Sequence, residues 1–176
     1  MEALGKRLAA GEPSAFAELY DLCAARVHHY VAVRLSSRDA ADEVLQEVFV
    51  RLVRRRQQLA AVENLLSYVF TIARNEANRH AGRRGRDSKH RQPLTAEQLF
   101  DETGGDDLEL REAAESVTVA LQQLPEELRE VIELKIYAGL TFREIAELLA
   151  IPQGTVATRY RTALGRLKEW FARQMS

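Results

Sequence analysis

Residues 141–171 constrain the fold more than any other part of the chain. "TFRE" (Thr141 to Glu144) has the form of a capping box, in which a Thr hydroxyl and a Glu carboxylate satisfy orphan backbone amides reciprocally and open a helix. Ile145, Leu148 and Leu149 follow at helical spacing and are expected to face inward. After the short turn "AIPQ", Val156, Tyr160, Ala163, Leu164 and Leu167 resume the pattern as far as Trp170 and Phe171. A helix of roughly ten residues, a turn of three or four and a longer basic helix make a helix-turn-helix.

The rest of the chain has the same period. Phe16, Leu19, Tyr20, Cys23, Val27 and Val31 form one helical stripe, and Ala40, Val44, Leu45, Val48, Phe49 and Leu52 form a second. Asn64 or Ser67 is placed to open a third helix through Tyr68, Val69, Ile72 and Ala73, running towards Arg79 and fading at the glycines of "AGRRGR". In "LPEELREVIELKIYAG", Pro125 suits a first helical turn and Gly139 a C′ position, with Leu128, Val131, Ile132 and Ile136 as the buried stripe. Alternation of apolar and polar residues never persists, and the abundant Ala, Leu, Glu, Arg and Gln are good helix formers. The expected fold class is all-α, with two small helical domains, at 1–84 and 113–176, joined by a flexible acidic linker over 85–112. That linker is rich in Gly and charge and poor in large apolar residues. Its acidic half reads first as a solubilising spacer, and second as a chain that follows a basic groove on a partner in place of nucleic acid.

The formal net charge of −1 conceals segregation. Residues 71–91 hold seven bases against two acids, 97–116 eight acids against one base, and 152–173 five bases against one acid. For a polyanionic partner the local field matters more than the sum.

Few features suggest catalysis. His28, His29, His80 and His90 have no Cys or acidic partner at a recognisable spacing, and no Gly-rich phosphate loop, nucleophile elbow or metal motif is present. Asp42, Glu43 and Glu47 share one helix at one- and four-residue spacing, but the Glu-x-x-His companion of a di-metal bundle is absent, so a solvated or partner-docking face is expected. The chain is expected to be no enzyme and to hold no cofactor or metal. Cys23, the single cysteine, cannot form an internal disulfide and is expected as a small buried residue. No apolar run is long enough to span a membrane, the first residues lack a signal-peptide core, and little chain follows Trp170 and Phe171 that could form a sensor domain. A cytoplasmic location is expected.

In a helix-turn-helix the first turns of the second helix reach base edges. Here they offer Gln153, Thr155, Ala157, Thr158, Arg159, Arg161 and Thr162, of which Gln can pair with adenine, Arg with guanine, and Thr can touch a thymine methyl. Any one of these arginines is equally a solvated surface charge. Arg166, Lys168 and Arg173 lie too far along to read bases and suit phosphates or solvent. The segment 68–86 interleaves aromatics with bases, the mixture that stacks unpaired bases, although Tyr68 and Phe70 are more simply core residues.

Both halves together resemble the RNA polymerase sigma factors of the extracytoplasmic-function group in the sigma-70 family. "DAADEVLQEVFVRLVRR" and "SYVFTIARNEANRH" fall in order in the first half, and "LPEELREVIELKIYAGLTFREIAELLAIPQGTVATRYRTALGRLKEWF" matches nearly throughout in the second. The resemblance implies a transcription initiation factor that recruits core polymerase to promoters. It implies that Asp42, Glu43, Gln46, Glu47 and Phe49 dock on the clamp coiled coil of the β′ subunit. It implies that Tyr68, Arg74, Asn75, Asn78, Arg79 and Arg83 serve capture and opening of the −10 element. Gln153, Thr155, Thr158, Arg159, Arg161 and Thr162 would read the −35 element. The implied partners are core RNA polymerase, through the β′ clamp coiled coil and the β flap, promoter DNA, and an anti-sigma factor.

The sequence departs from the family at several of these positions. Arg79 stands where the family usually has Asp, Thr71 and Thr162 where a base is usual, Tyr68 where Trp is common, and Ala157 where Lys or Arg is usual. An unusual −35 preference is expected from Ala157. Two other readings remain: a helix-turn-helix regulator that binds an operator alone, and an adaptor sequestered by a partner that docks on polymerase without reading promoters.

Overall fold

The computed structural model describes residues 2–84 and 116–174. The chain divides into two compact units, Met1–Arg91 and Gln92–Ser176. The linker expected at 85–112, and His90 within it, lie outside the described residues.

The first unit contains α1 (Glu2–Ala10), α2 (Pro13–Leu35), α3 (Arg38–Arg54), a 3-10 segment (Arg56–Ala61) and α4 (Leu65–Arg84). Its breaks follow local chemistry. Gly11 takes a positive φ of 81°, and Pro13 then starts α2 with a fixed φ suited to a helical first turn. Ser36 closes α2 in the left-handed region, and the Ser37 hydroxyl accepts from Ala40 N at 3.2 Å to cap α3. Asn64 opens α4, its Oδ1 accepting from Ser67 N at 3.0 Å. The last helix runs through Gly82 to Arg84 rather than fading at the first glycine. Leu8, Leu19, Leu52, Leu59, Leu65 and Phe70 fill the centre, and Tyr30 meets Phe70 edge-on with centroids 5.6 Å apart. Cys23 is buried as expected and donates to Leu19 O at 3.0 Å. One member of the α2 stripe turns away from the core: Tyr20 is 48% exposed. The α3 side chain it meets, Phe49 at 5.0 Å between centroids, lies at the edge of the helix pair.

The second unit has a helical stretch at 116–122 (α5), then α6 (Glu126–Ile136), α7 (Phe142–Leu149) and α8 (Gln153–Gln174). Every described element is helical, with no strand among the described residues. The Thr141 capping box is complete: Thr141 N donates to Glu144 Oε2 at 2.6 Å, and Glu144 N donates to Thr141 Oγ1 at 3.3 Å. Leu121, Leu124, Ile132 and Ala163 make the core, with Leu128, Tyr137, Tyr160 and Leu167 packed around them. The α6 stripe differs from the periodic expectation. Ile136 is 57% exposed, whereas all five residues from Glu130 to Leu134 are buried. α6 is therefore enclosed on most sides at its middle, and its last turn is left facing out. Gly139, with φ 62°, falls two residues beyond the Tyr137 cap.

Candidate docking and nucleic-acid surfaces

The α3 helix separates apolar from acidic residues. Ala40, Ala41, Val44, Leu45, Val48 and Leu52 are buried, and this leaves Asp42, Glu43 and Gln46 exposed and Glu47 half-buried on the opposite side. Tyr20, Leu45, Phe49, Val50 and Val53 line a groove of about 590 Å³, with Asp42, Gln46 and Arg54 as its polar members. An apolar trough beside the acidic face of α3, with Asp42 and Arg54 both in its lining, suits a largely apolar partner surface that also carries charge. Tyr20 and Val53 were not among the candidate docking residues. A core stripe and an edge aromatic have the same period, so only helix packing distinguishes them.

Two of the carboxylates have histidine partners on other helices, at separations that no sequence spacing reveals, and a third is paired within α3. His28 Nε2 lies 3.1 Å from Asp42 Oδ1, and His80 Nε2 lies 3.1 Å from Glu43 Oε2. Glu47 Oε1 accepts from Arg51 Nε at 3.2 Å. Among the described residues, no group of three His, Cys, Asp or Glu side chains is placed to hold a metal.

On α4, Phe70 is a core residue and Tyr68 is half-buried. Asn75, Asn78, Arg79 and Arg83 are exposed, and Arg74 is half-buried. Asn78 and Arg79 are held by neighbouring side chains. Asn78 Oδ1 accepts from Arg34 of α2 at 3.0 and 3.3 Å, and Arg79 donates to both oxygens of Glu76 at 2.9 and 3.0 Å.

On α8, Gln153, Thr158, Arg161 and Thr162 are exposed, and Thr155, Ala157 and Arg159 are half-buried. The Thr158 hydroxyl donates back to Gly154 O at 2.9 Å, a local bond that uses its hydrogen within the helix. Arg159 is held by Glu127 of α6 at 2.8 Å. Phe142 of α7 packs on Tyr160 of α8 with centroids 5.2 Å apart, and Lys135 Nζ sits 5.4 Å from the Phe142 ring centre. The Phe142–Tyr160 contact joins the two helices of the motif, and Lys135 adds a contact from α6.

Burial dominates the titration behaviour of three groups. It pushes the Cys23 thiol up to about 11, against a smaller opposing influence from Arg26. It pushes the Tyr137 phenol up to about 12, helped by Glu133. It lowers His29, with His28 and Arg38 acting in the same direction.

Comparison with known families places two models on the chain in order. Sigma-70 region 2 matches residues 19–87, and Sigma-70, region 4 matches residues 114–167. The ECF RNA polymerase sigma factor RpoE of Cereibacter sphaeroides is 31% identical over 164 residues, covering 90% of this chain and 87% of that protein. The ECF RNA polymerase sigma factor SigK of Mycobacterium ulcerans is 29% identical over 171 residues, covering 96% of this chain and 91% of that protein. Among solved structures, CnrH in complex with the cytosolic domain of CnrY matches with a TM-score of 0.70 at 19% identity, covering 98% and 97% of the two chains. RpoE of Bartonella quintana, in complex with the anti-sigma factor NepR, matches at 0.69 and 23% identity, covering 89% and 96%. At those identities the structural likeness shows the shared helical fold. No described helix is long and apolar enough to cross a membrane.

Proposed function

The chain belongs to the extracytoplasmic-function group of RNA polymerase sigma factors in the sigma-70 family, and we propose that it acts as a transcription initiation factor with no catalysis of its own. It binds core RNA polymerase in the cytoplasm and directs it to promoters by opening the −10 element and reading the −35 element. The observation that carries this reading is the pairing, in one chain, of an acidic α3 face above an apolar groove with a helix-turn-helix. A stand-alone operator binder has no need of the first feature.

The roles divide by region. Residues 1–84 bind polymerase and the −10 element, 85–112 link, and 113–176 serve the −35 element. Asp42, Glu43, Gln46, Glu47 and Phe49 dock on the β′ clamp coiled coil, their carboxylates meeting bases and Phe49 entering apolar contact. Along α4, Tyr68, Arg74, Asn75, Asn78, Arg79 and Arg83 combine one aromatic face with polar and cationic side chains, the set that holds an unpaired strand. The first turns of α8 lie in the major groove, where Gln153, Thr155, Thr158, Arg159, Arg161 and Thr162 meet base edges and phosphates. The β flap is the second polymerase contact. An anti-sigma factor is the regulatory partner, as NepR is in the complex with the Bartonella RpoE.

The near-neutral net charge fits this role. Polymerase supplies most phosphate contacts in a holoenzyme, so the sigma subunit needs basic patches rather than a basic whole. The test is co-purification with bacterial core polymerase followed by run-off transcription on a fragmented genomic library. Stable binding with discrete start sites is expected. Binding without initiation, or no binding at all, would overturn the proposal.

A further inference from the structure

Two of the candidate docking side chains on α3 lead to α4, Glu43 directly and Glu47 through Arg51 of its own helix. Glu43 meets His80 at 3.1 Å. Glu47 accepts from Arg51 Nε at 3.2 Å, and the same nitrogen lies 2.7 Å from Glu76 Oε1. Glu76 in turn accepts from Arg79 at 2.9 and 3.0 Å. One chain of charges thus runs from the exposed face of α3 to the promoter end of α4, and a second link runs beside it.

The Glu76 carboxylate is 2% exposed, so it has lost nearly all of its water. A buried charge of this kind is costly unless it is paired, and an apolar side chain of similar size would pack two helices at least as stably. What the ion pairs add is geometry. The two that cross between helices, Arg51–Glu76 and Glu43–His80, fix the rotation of α4 about its axis relative to α3, and Arg79 from the next turn of α4 holds the Glu76 carboxylate in place. Arg51 is shared between Glu47, which a partner can reach, and Glu76, which it cannot.

We infer that Arg51, Glu76 and His80 are positioning residues that couple docking of α3 on polymerase to promoter opening by α4. The inference rests on the functional reading above. When a basic partner surface takes up Glu43 and Glu47, Arg51 turns wholly onto Glu76 and His80 loses its carboxylate. One link tightens and the other loosens, and both changes fall on residues 76–80, the turn that carries Asn78 and Arg79 and adjoins Asn75. Arg79 then acts in part through Glu76 and not only through nucleic acid.

The experiment uses the full chain assembled with core polymerase. It measures core affinity and the rate of strand opening, the latter on a duplex promoter and on one already unpaired across the −10 element. Glu76→Gln keeps the shape and removes the charge. It is expected to leave core affinity within about twofold and slow duplex opening about tenfold, with little effect on the unpaired promoter, as for a loss confined to the opening step. Glu47→Gln is expected to slow opening less, and to add nothing once Glu76 is already Gln, because coupled residues are not additive. His80→Leu leaves the Glu76 network intact and serves as the second variant, with the same split expected if Glu76→Gln fails to fold. Wild-type opening rates in both variants would overturn the inference, as would equal slowing on both promoters or independent effects of positions 47 and 76. Failure of the unsubstituted chain to bind core polymerase would overturn the functional reading itself.

Discussion

Arg159, on the helix we propose to enter the DNA groove, is paired at 2.8 Å with Glu127 in the first turn of α6, so its guanidinium is oriented by its own domain. An arginine free in solution samples many rotamers, and ordering it on binding costs free energy. An arginine held by a carboxylate has lost part of that freedom already and points one way.

Removing the carboxylate with Glu127→Ala should therefore leave stability nearly unchanged, because Glu127 is 71% exposed and surface pairs contribute roughly 0–1 kcal/mol. Promoter selectivity is where the loss should appear. Selection from a promoter pool randomised across the −35 element should return a broader set of sequences than for the wild type. Arg159→Ala should weaken promoter-dependent transcription as well, by an amount consistent with about 1–3 kcal/mol if the side chain reads a base. An unchanged −35 preference in both variants would leave this pair as surface decoration.

Gly5 allows α1 to approach the 3-10 segment closely. A Cβ at this position would lie 2.8 Å from Leu59 O, a backbone atom that cannot swing aside. Gly5→Ala should destabilise the first unit by about 1–3 kcal/mol, the usual range for overpacking. Gly165→Ala makes the contrast, since nothing lies within 4 Å of its added Cβ and it sits inside α8. There the gain in helix propensity should stabilise the second unit by about 0.5–1 kcal/mol. Urea unfolding of both variants, followed by circular dichroism, checks the two signs together.

Thr141 and Glu144 hold the start of α7 by two reciprocal bonds. Thr141→Ala removes the hydroxyl that accepts from Glu144 N and should cost about 1 kcal/mol. Thr141→Ser keeps that oxygen and should recover most of the loss. Thermal unfolding of the three proteins is the direct measurement. If Ala and Ser behave alike, the cap contributes nothing to the motif.

The Cys23 thiol offers a pH test. Its value is raised by burial from the ordinary 9.0 to about 11, so the unfolded chain ionises first as pH rises. The stabilising contribution is complete below pH 9 and is lost progressively as pH climbs from there through about 11. Unfolding free energy should accordingly fall over that window, and Cys23→Ala should flatten part of the decline. At neutral pH, thiol reagents should modify the native protein at least about tenfold more slowly than the denatured chain. Equal rates would show that the thiol is accessible.

Much of the fold was legible because the signals are local. Asn64 caps α4 three residues before the amide it accepts from, the Thr141–Glu144 box closes over the same distance, and the α3 stripe from Ala40 to Leu52 repeats every turn. Such features depend on backbone geometry within a few residues and survive whatever packs against them. The helix-turn-helix and the acidic face of α3 follow from the same rules.

Other features depended on which helix lies beside which. Tyr20 and Ile136 fit core stripes in the sequence, yet both face outward, because a helix enclosed at its middle or met at its edge buries a different arc from the one its period suggests. Glu76 looks like a surface residue until Arg51 and Arg79 enclose it. His80 meets Glu43 across 37 residues, and Arg159 meets Glu127 across 32. Sequence alone determined the helices, their caps and their amphipathic faces, since each is set by neighbours a turn away. Tertiary structure alone decided the charge partners between helices, because helix packing brings distant side chains within bonding reach, and at the buried Glu76 carboxylate the low dielectric makes the pairing consequential.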